Sequence, residues 1–134
     1  MAASARIGIR SPAAERLAHI AQRVAAWEGA RGLRVELTLL DAAAMRRMNR
    51  RATGRRGVTD VLAYAMPQAD GTLLGDVYIC PSLAGDEELV RLAVHGTLHV
   101  LGYDHPDGPG RTRSAMWRRQ ERYVRRLVRA RRER

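Results

Sequence analysis

The sequence predicts a mixed α/β (α+β) domain, with helices packed on a sheet of about four strands. Two observations support this fold class: apolar residues alternate in several short segments, and between and after these segments they repeat at helical spacing. The resulting order, βαβαββαα, is typical of layered domains that contain both kinds of element. The chain of 134 residues has the size of one domain, so we predict a single domain over residues 1–134 and expect its last residues to fray.

The first strand and the first helix are predicted from alternation and from a helix start. Residues 5–10 alternate two isoleucines with other residues and predict a short strand. Ser11 can cap a helix, and Pro12 sets the backbone of a first turn. The helix should end near Gly29 or Gly32, because glycine ends helices readily.

The central part of the chain alternates strand, helix, loop and strand. Residues 33–40 alternate again and predict the second strand, after which Asp41 can cap the second helix. Residues 50–57 are polar and basic and hold two glycines, so they predict a loop. Residues 58–66 are apolar and β-prone, and Pro67 ends this third strand.

A hairpin and two helices complete the predicted fold. Asp70–Gly71 is a strong hairpin signal, and residues 72–80 form the predicted fourth strand. Residues 86–102 and 111–131 show helical apolar spacing. These elements indicate an antiparallel pair of strands next to the two earlier strands.

The composition favours a polyanionic partner. The formal net charge is +10, and all 24 cationic side chains are arginines, because the chain has no lysine. A genome-wide codon bias would also explain why arginine replaces lysine everywhere. The sign of the charge is therefore better evidence for the partner than the choice of arginine. One cysteine excludes an internal disulfide, and no stretch is long and apolar enough for a signal or a membrane span. We therefore expect a cytoplasmic protein with no membrane partner.

The histidines of one short segment indicate a metal site. His95 and His99 are four residues apart, so a helix places both rings on one face. Gly102 can end that helix and turn the chain back, which returns His105 as a third ligand. Three nitrogen ligands suit one Zn²⁺ per chain and leave a coordination position for water, as at catalytic zinc sites.

The same spacing also matches the zinc frame of metzincin peptidases. In those enzymes a glutamate follows the first histidine and acts as the general base. Gly96 occupies that position here and has no side chain that could act. A peptidase is therefore the less favoured alternative to a hydrolase of phosphodiesters.

Other conspicuous residues are predicted to be structural. His19 is assigned no function, and Cys80 is predicted to be a buried strand residue. Trp27 and Trp117 lie at helical spacing among apolar neighbours, so we predict core positions rather than base-stacking platforms.

The segment 95–105, HGTLHVLGYDH, resembles the signature of the YbeY family of bacterial endoribonucleases, the rRNA maturation factors. Residues 48–64, which contain TDVLAY, resemble the family segment that ends in TDVLSF. Residues 74–80, LGDVYIC, resemble its LGDI strand, and the methionine and the Gln-Glu pair within 116–121 match its usual ending. The resemblance covers about residues 37–128.

This resemblance implies an α/β fold with a four-stranded sheet, Zn²⁺ held by the three histidines, and cleavage of single-stranded RNA. It also implies maturation of the 3′ end of 16S rRNA and ribosome quality control, with 16S rRNA or the small ribosomal subunit as partner. The predicted function is therefore that of a zinc-dependent, single-strand-specific endoribonuclease. The alternative is a ribosome-assembly or RNA-binding factor with weak or no catalysis.

The sequence departs from the family pattern near the implied site. Thr53 stands where the family has an arginine that is thought to contact the RNA phosphate, and Arg91 stands where the family often has a histidine. Arg55 and Asp104 are the candidate catalytic residues, although the arginine could be solvated and the aspartate could be a turn residue or an orienting partner. The following arginines are predicted to bind RNA: Arg50, Arg51, Arg55 and Arg56.

Overall fold

A computed structural model describes residues 11–53, 60–81, 85–106 and 108–132 of the chain. It confirms a mixed α+β architecture. In chain order the elements are α1 (Pro12–Trp27), β1 (Leu33–Leu39), α2 (Ala42–Thr53), β2 (Val61–Pro67), β3 (Leu73–Ile79), α3 (Asp86–Val100), a 3₁₀ turn (Gly108–Arg113) and α4 (Ala115–Arg132).

The described residues form one sheet of three strands, in the order β1-β3-β2. β3 pairs parallel with β1 and antiparallel with β2, and the β2–β3 hairpin is the one predicted from the sequence. The hairpin turn is closed by Asp70, whose carboxylate accepts the backbone N–H of Thr72 at 3.0 Å, and by Gly71 at φ +87°. The prediction of four strands is corrected to three for the described part of the chain, because the predicted first strand, residues 5–10, lies outside it.

The main core lies on one face of the sheet, under α1, α3 and α4. Inward-facing strand residues such as Val77 and Ile79 pack there against the helices. α3 comes unusually close to the sheet at Gly96, where an added Cβ would lie 2.7 Å from Cγ1 of Val77. This close approach fixes α3, which carries two of the histidines, against β2 and β3.

α2 packs with a separate, smaller apolar cluster that contains Leu40, Met45 and Cys80. Leu62 and Tyr78 join this cluster, and they alternate along their strands with residues of the main core. α2 therefore covers the opposite face of the sheet from α3. Cys80 is buried directly after β3, close to its predicted position.

The starts of α1 and α2 follow the sequence, whereas the end of α2 and the start of α4 do not. The side chains of Ser11 and Asp41 accept the N–H groups of Ala14 and Ala44, at 3.1 and 2.7 Å. The predicted loop 50–57 is wrong at its start, because α2 continues to Thr53 through arginines that favour helix.

The last helix also starts later than predicted. Residues 108–113 form the 3₁₀ turn, and Ser114 caps α4 by accepting the N–H of Trp117 at 3.1 Å. The apolar spacing of this helix predicts a buried stripe of Met116, Tyr123, Leu127 and Val128; the first three are buried, and Val128 is half-buried against the core.

Candidate metal centre and its cleft

The end of α3 turns the chain so that the third histidine comes back toward the first two. Gly102 adopts φ +98°, and its N–H donates to the carbonyl of His99 at 3.0 Å. The N–H of Tyr103 donates to the carbonyl of Leu98, also at 3.0 Å. The chain reverses here, and Asp104 holds the turn by accepting the N–H of His105 at 2.8 Å.

The three imidazoles meet at one point, as the sequence predicted. The ring centroid of His95 lies 4.6 Å from that of His99 and 5.0 Å from that of His105. The centroids of His99 and His105 are 5.1 Å apart. One ring nitrogen of each histidine lies within 4.8 Å of the other two. No other group of three or more potential metal ligands occurs among the described residues.

The Nδ1 nitrogen of each ring lies within hydrogen-bond distance of an oxygen acceptor. The acceptors are Oε1 of Gln120 for His95 at 2.6 Å, the carbonyl of Tyr103 for His99 at 3.0 Å, and the carbonyl of Pro106 for His105 at 3.1 Å. These acceptors require Nδ1–H to donate, which leaves the lone pair of each Nε2 free for a metal ion.

The spacing of two of these nitrogens fits zinc. Nε2 of His99 and Nε2 of His105 are 3.3 Å apart. Two ligands at about 2.0–2.1 Å from a tetrahedral Zn²⁺ are separated by roughly 3.3–3.4 Å. The three histidines could therefore hold such an ion.

Burial keeps His95 and His99 neutral, because it lowers the pKa of both rings. Removal from water is the main cause that lowers the pKa of His95 to about 4. The hydrogen bond to Gln120 acts to raise this pKa, whereas the charges of His99, His105 and Arg111 lower it further. Burial is also the main cause that lowers the pKa of His99. At neutral pH these two rings therefore have no ring proton on the nitrogen that would bind a metal.

A chain of polar side chains supports His95 from behind. Gln120 is fully buried, and its amide N–H donates to Glu121 at 2.9 Å, which fixes the orientation in which its oxygen faces His95. Glu121 accepts two hydrogen bonds from Arg91, at 2.8 and 2.9 Å. Although burial acts to raise the pKa of Glu121, the hydrogen bonds from Arg91 and Gln120 outweigh it and lower the pKa. Gln120 and Glu121 belong to the motif that resembles the family ending, but the sequence indicates no role for them or for Arg91.

A second network supports the loop behind His99. Glu28, directly after α1, has a side chain that is only 7% exposed. It accepts hydrogen bonds from the hydroxyls of Tyr103 (2.7 Å) and Tyr123 and from Arg119 (2.9 Å). Tyr103 in turn supplies the carbonyl that orients His99. No local pattern in the sequence predicts this contact, because Glu28 and Tyr103 are 75 positions apart.

The histidines form one wall of a cleft of about 370 Å³. Asp60 and Val61 of the sheet side and Arg111 and Trp117 of the last two elements also line it. The predicted core position of Trp117 is wrong: the side chain is half-buried and faces this cleft, because Ser114 starts α4 at the cleft rim. Trp27 does pack against the core and stacks on Tyr123.

A larger groove, of about 870 Å³, lies between α1 and the end of α4. His19 lines it, and Asp86 pairs there with Arg16 and Arg131, but no group of converging metal ligands occurs there among the described residues. Size therefore does not identify the candidate site, whereas the convergence of donor atoms does.

The remaining predicted site residues either do not line the cleft or lie outside the residues that the structure describes. Arg50 and Arg51 are exposed at the end of α2 and do not line the cleft. Asp104 is exposed in the turn beside His105. Arg55 and Arg56 lie outside the described residues. The roles of these residues in RNA binding and catalysis stay predictions.

The comparisons with known proteins agree with the sequence resemblance. The model of the family described as "Endoribonuclease YbeY" matches residues 5–128. The protein of Rhodococcus opacus named Endoribonuclease YbeY is 34% identical to this chain, in an alignment that covers 54% of this chain and 52% of the relative. The corresponding values are 35% in Mycolicibacterium paratuberculosis (53% and 52%) and 33% in Mycobacterium tuberculosis (54% and 53%). These alignments span about half the length of the curated relatives.

One solved structure supports the fold. The solution structure of TM1509 from Thermotoga maritima matches with a TM-score of 0.62 and 24% identity, over 94% of this chain and 89% of that chain. Within the described residues no helix is long and apolar enough to cross a membrane.

Proposed function

This chain belongs to the YbeY endoribonuclease family, and from that premise we propose that it is a zinc-dependent hydrolase that cleaves single-stranded RNA. The observation that supports this best is the arrangement of His95, His99 and His105. Three imidazoles with satisfied Nδ1–H groups direct three free nitrogens toward one point, at the wall of an open cleft. Three protein ligands are the pattern of catalytic rather than structural zinc.

The residues of the chain prepare the site for a metal ion and a phosphodiester. When bound, Zn²⁺ would act as a Lewis acid that stabilises the negative charge developing on the phosphoryl group. Burial keeps His95 neutral, so protons do not compete for its nitrogen near pH 7. Gln120 and the carbonyls of Tyr103 and Pro106 hold the rings in place, which reduces the reorganisation needed on metal binding.

We further propose the substrate and setting that the family membership suggests. The substrate is the 3′ end of 16S rRNA, on the small ribosomal subunit, and the protein acts in ribosome quality control in the cytoplasm. The net charge of +10 supports an RNA partner, because cationic side chains release counterions when they bind phosphates.

Two alternatives remain as outcomes of the test. A ribosome-assembly factor with weak or no catalysis is motivated by Thr53, where the family has an arginine. A zinc peptidase of the metzincin type is weakened further by the fold. Gly96 faces the sheet, where a side chain would collide with Val77, so this position cannot supply a base to the cleft.

The decisive experiment measures zinc content and RNA cleavage together. Wild type, His99→Ala and the control His19→Ala are purified free of contaminating nuclease, chelated, and supplied again with Zn²⁺. The substrate is a single-stranded RNA that carries the 3′ end of 16S rRNA. We expect wild type and His19→Ala to bind about one Zn²⁺ per chain and to cleave, because His19 is exposed and distant from the cleft. His99→Ala should lose both properties.

The other outcomes separate the alternatives. Full zinc content and cleavage in His99→Ala would show that the site is assigned wrongly. Zinc binding without cleavage in wild type, together with retained association with the small subunit, would favour the assembly factor. Chelator-sensitive proteolysis of an unfolded protein would favour the peptidase.

A further inference from the structure

An RNA hydrolase needs a cation next to its metal site that is free to bind a substrate phosphate. Two arginines line the described part of the cleft, Arg91 and Arg111. Arg91 is already paired with Glu121 at 2.8 Å, Glu88 at 3.1 Å and Glu87 at 3.4 Å. Its guanidinium is therefore occupied by carboxylates and is a poor phosphate ligand.

Arg111 differs from Arg91 in its surroundings. Its side chain is exposed, and within the described ranges no carboxylate lies at ion-pair distance from it. Instead its guanidinium carbon lies over the ring of Trp117, 5.4 Å from the centroid. This cation–π contact orients the guanidinium, and a guanidinium that no carboxylate occupies can bind a phosphate in a bidentate manner.

The backbone holds this pair in a defined place relative to the histidines. The hydroxyl of Ser114 donates to the carbonyl of Arg111 at 2.8 Å and accepts the N–H of Trp117 at 3.1 Å. One serine thus links the arginine and the tryptophan. The same turn lies beside the metal loop: a Cβ added at Gly110 would be 3.2 Å from Cγ of Pro106, next to His105.

We propose that Arg111, oriented by Trp117, binds a phosphate of the RNA substrate beside the histidine cluster. This inference rests on the proposed function, since it names the residue that holds the substrate of the same site. Arg111 is the phosphate ligand, Trp117 is a positioning residue, and the chemical class of the ligand is a phosphodiester of single-stranded nucleic acid.

The test compares variants of neighbouring arginines. Arg111→Gln removes the phosphate ligand, Arg111→Lys keeps the charge without the planar fork, and Trp117→Leu removes the stacking partner. Arg113→Gln is the matched control, because Arg113 is exposed on the same 3₁₀ turn and does not line the cleft. Binding of a fluorescein-labelled single-stranded RNA is measured by anisotropy on chelated protein over a range of salt, and cleavage is measured on zinc-loaded protein.

We expect Arg111→Gln to weaken RNA binding about ten-fold and to reduce the salt slope by about one, as the loss of one phosphate contact predicts. KM should rise more than kcat falls, zinc content should not change, and Arg111→Lys and Trp117→Leu should be intermediate. Equal effects of Arg111→Gln and Arg113→Gln, or normal binding by Arg111→Gln, would overturn the proposal. Weaker binding only in Trp117→Leu would instead indicate that a base stacks on the indole, and this too would overturn it.

The two proposals fail in different ways. If wild type binds RNA through Arg111 but never cleaves it, the endoribonuclease proposal fails and the phosphate site stands. If wild type cleaves RNA and Arg111→Gln cleaves it with unchanged KM and affinity, the phosphate site fails and the endoribonuclease proposal stands.

Discussion

The two α3 histidines are supported in different ways. His95 donates to a side chain, Gln120, which belongs to a chain of polar groups that ends at Arg91 on α3 itself. His99 donates to a backbone carbonyl, that of Tyr103, whose position depends on the buried carboxylate of Glu28. A ligand held by a side chain is sensitive to one substitution, whereas a ligand held by a carbonyl changes only if the loop moves.

The largest expected effect is on the loop side, from Glu28→Gln. Three donors converge on this buried carboxylate, and a neutral amide cannot accept from all of them. We expect the free energy of unfolding to fall by about 2–4 kcal/mol, measured by urea denaturation of the metal-free protein. Glu15→Gln, on the exposed side of α1, should change this free energy little. Equal effects of the two substitutions would remove Glu28 as the anchor of the loop.

The same variant should alter the pH dependence of stability. Burial acts to raise the pKa of Glu28, but hydrogen bonds from Tyr123, Tyr103 and Arg119 outweigh it, so the folded-state pKa lies below the ordinary value of 4.5. Its stabilisation is therefore present above pH 4.5 and is lost as pH falls through the lower folded-state value. The gap in unfolding free energy between wild type and Glu28→Gln should be constant near neutrality and narrow below pH 4.5. A gap that widens in acid would contradict this assignment.

A smaller effect, but one specific to the metal, is expected on the side-chain side. Gln120→Leu leaves the Nδ1–H of His95 without its acceptor, and changes of this kind reduce metal affinity about 10- to 100-fold. Zinc affinity is measured by competition with a chromophoric chelator. The control Gln22→Leu removes a glutamine that bonds Leu33 and Val35 far from the cleft, so it should lower stability without changing zinc affinity. An unchanged affinity in Gln120→Leu would mean that His95 needs no acceptor.

The smallest effect is expected at Arg91, the far end of the hydrogen-bonded side chains behind His95. Arg91→Gln removes the two hydrogen bonds that hold Glu121, but Gln120 keeps its own contact with His95. We expect zinc affinity to fall only about two- to five-fold and stability by about 1 kcal/mol, since the pair is partly exposed. Arg34→Gln, from the exposed pair with Glu36, is the control and should change neither. A loss as large as that in Gln120→Leu would indicate that the chain acts as one unit.

Local patterns in the sequence predicted most of the helices and the hairpin. The starts at Ser11 and Asp41 and the turn at Asp70–Gly71 each depend on a few neighbouring residues, so they could be identified without tertiary information. The end of α2 was misplaced because arginines between a helix and a loop suit both. The cleft position of Trp117 was missed because periodicity gives the helix face but not what that face meets.

The sequence by itself determined the three histidines as a group, because a four-residue spacing and Gly102 bring them together within a single helix end. Only the tertiary structure supplied the acceptor that leaves Nε2 of His95 free, which comes from α4, and the carboxylate that anchors Tyr103, which directly follows α1. It also distinguished Arg111, which lies over Trp117 and has no ion pair with a described carboxylate, from Arg91, which carboxylates on two helices hold. Spacing along one element fixes which side chains can meet, but burial and partners from distant elements fix their charge, orientation and freedom to bind.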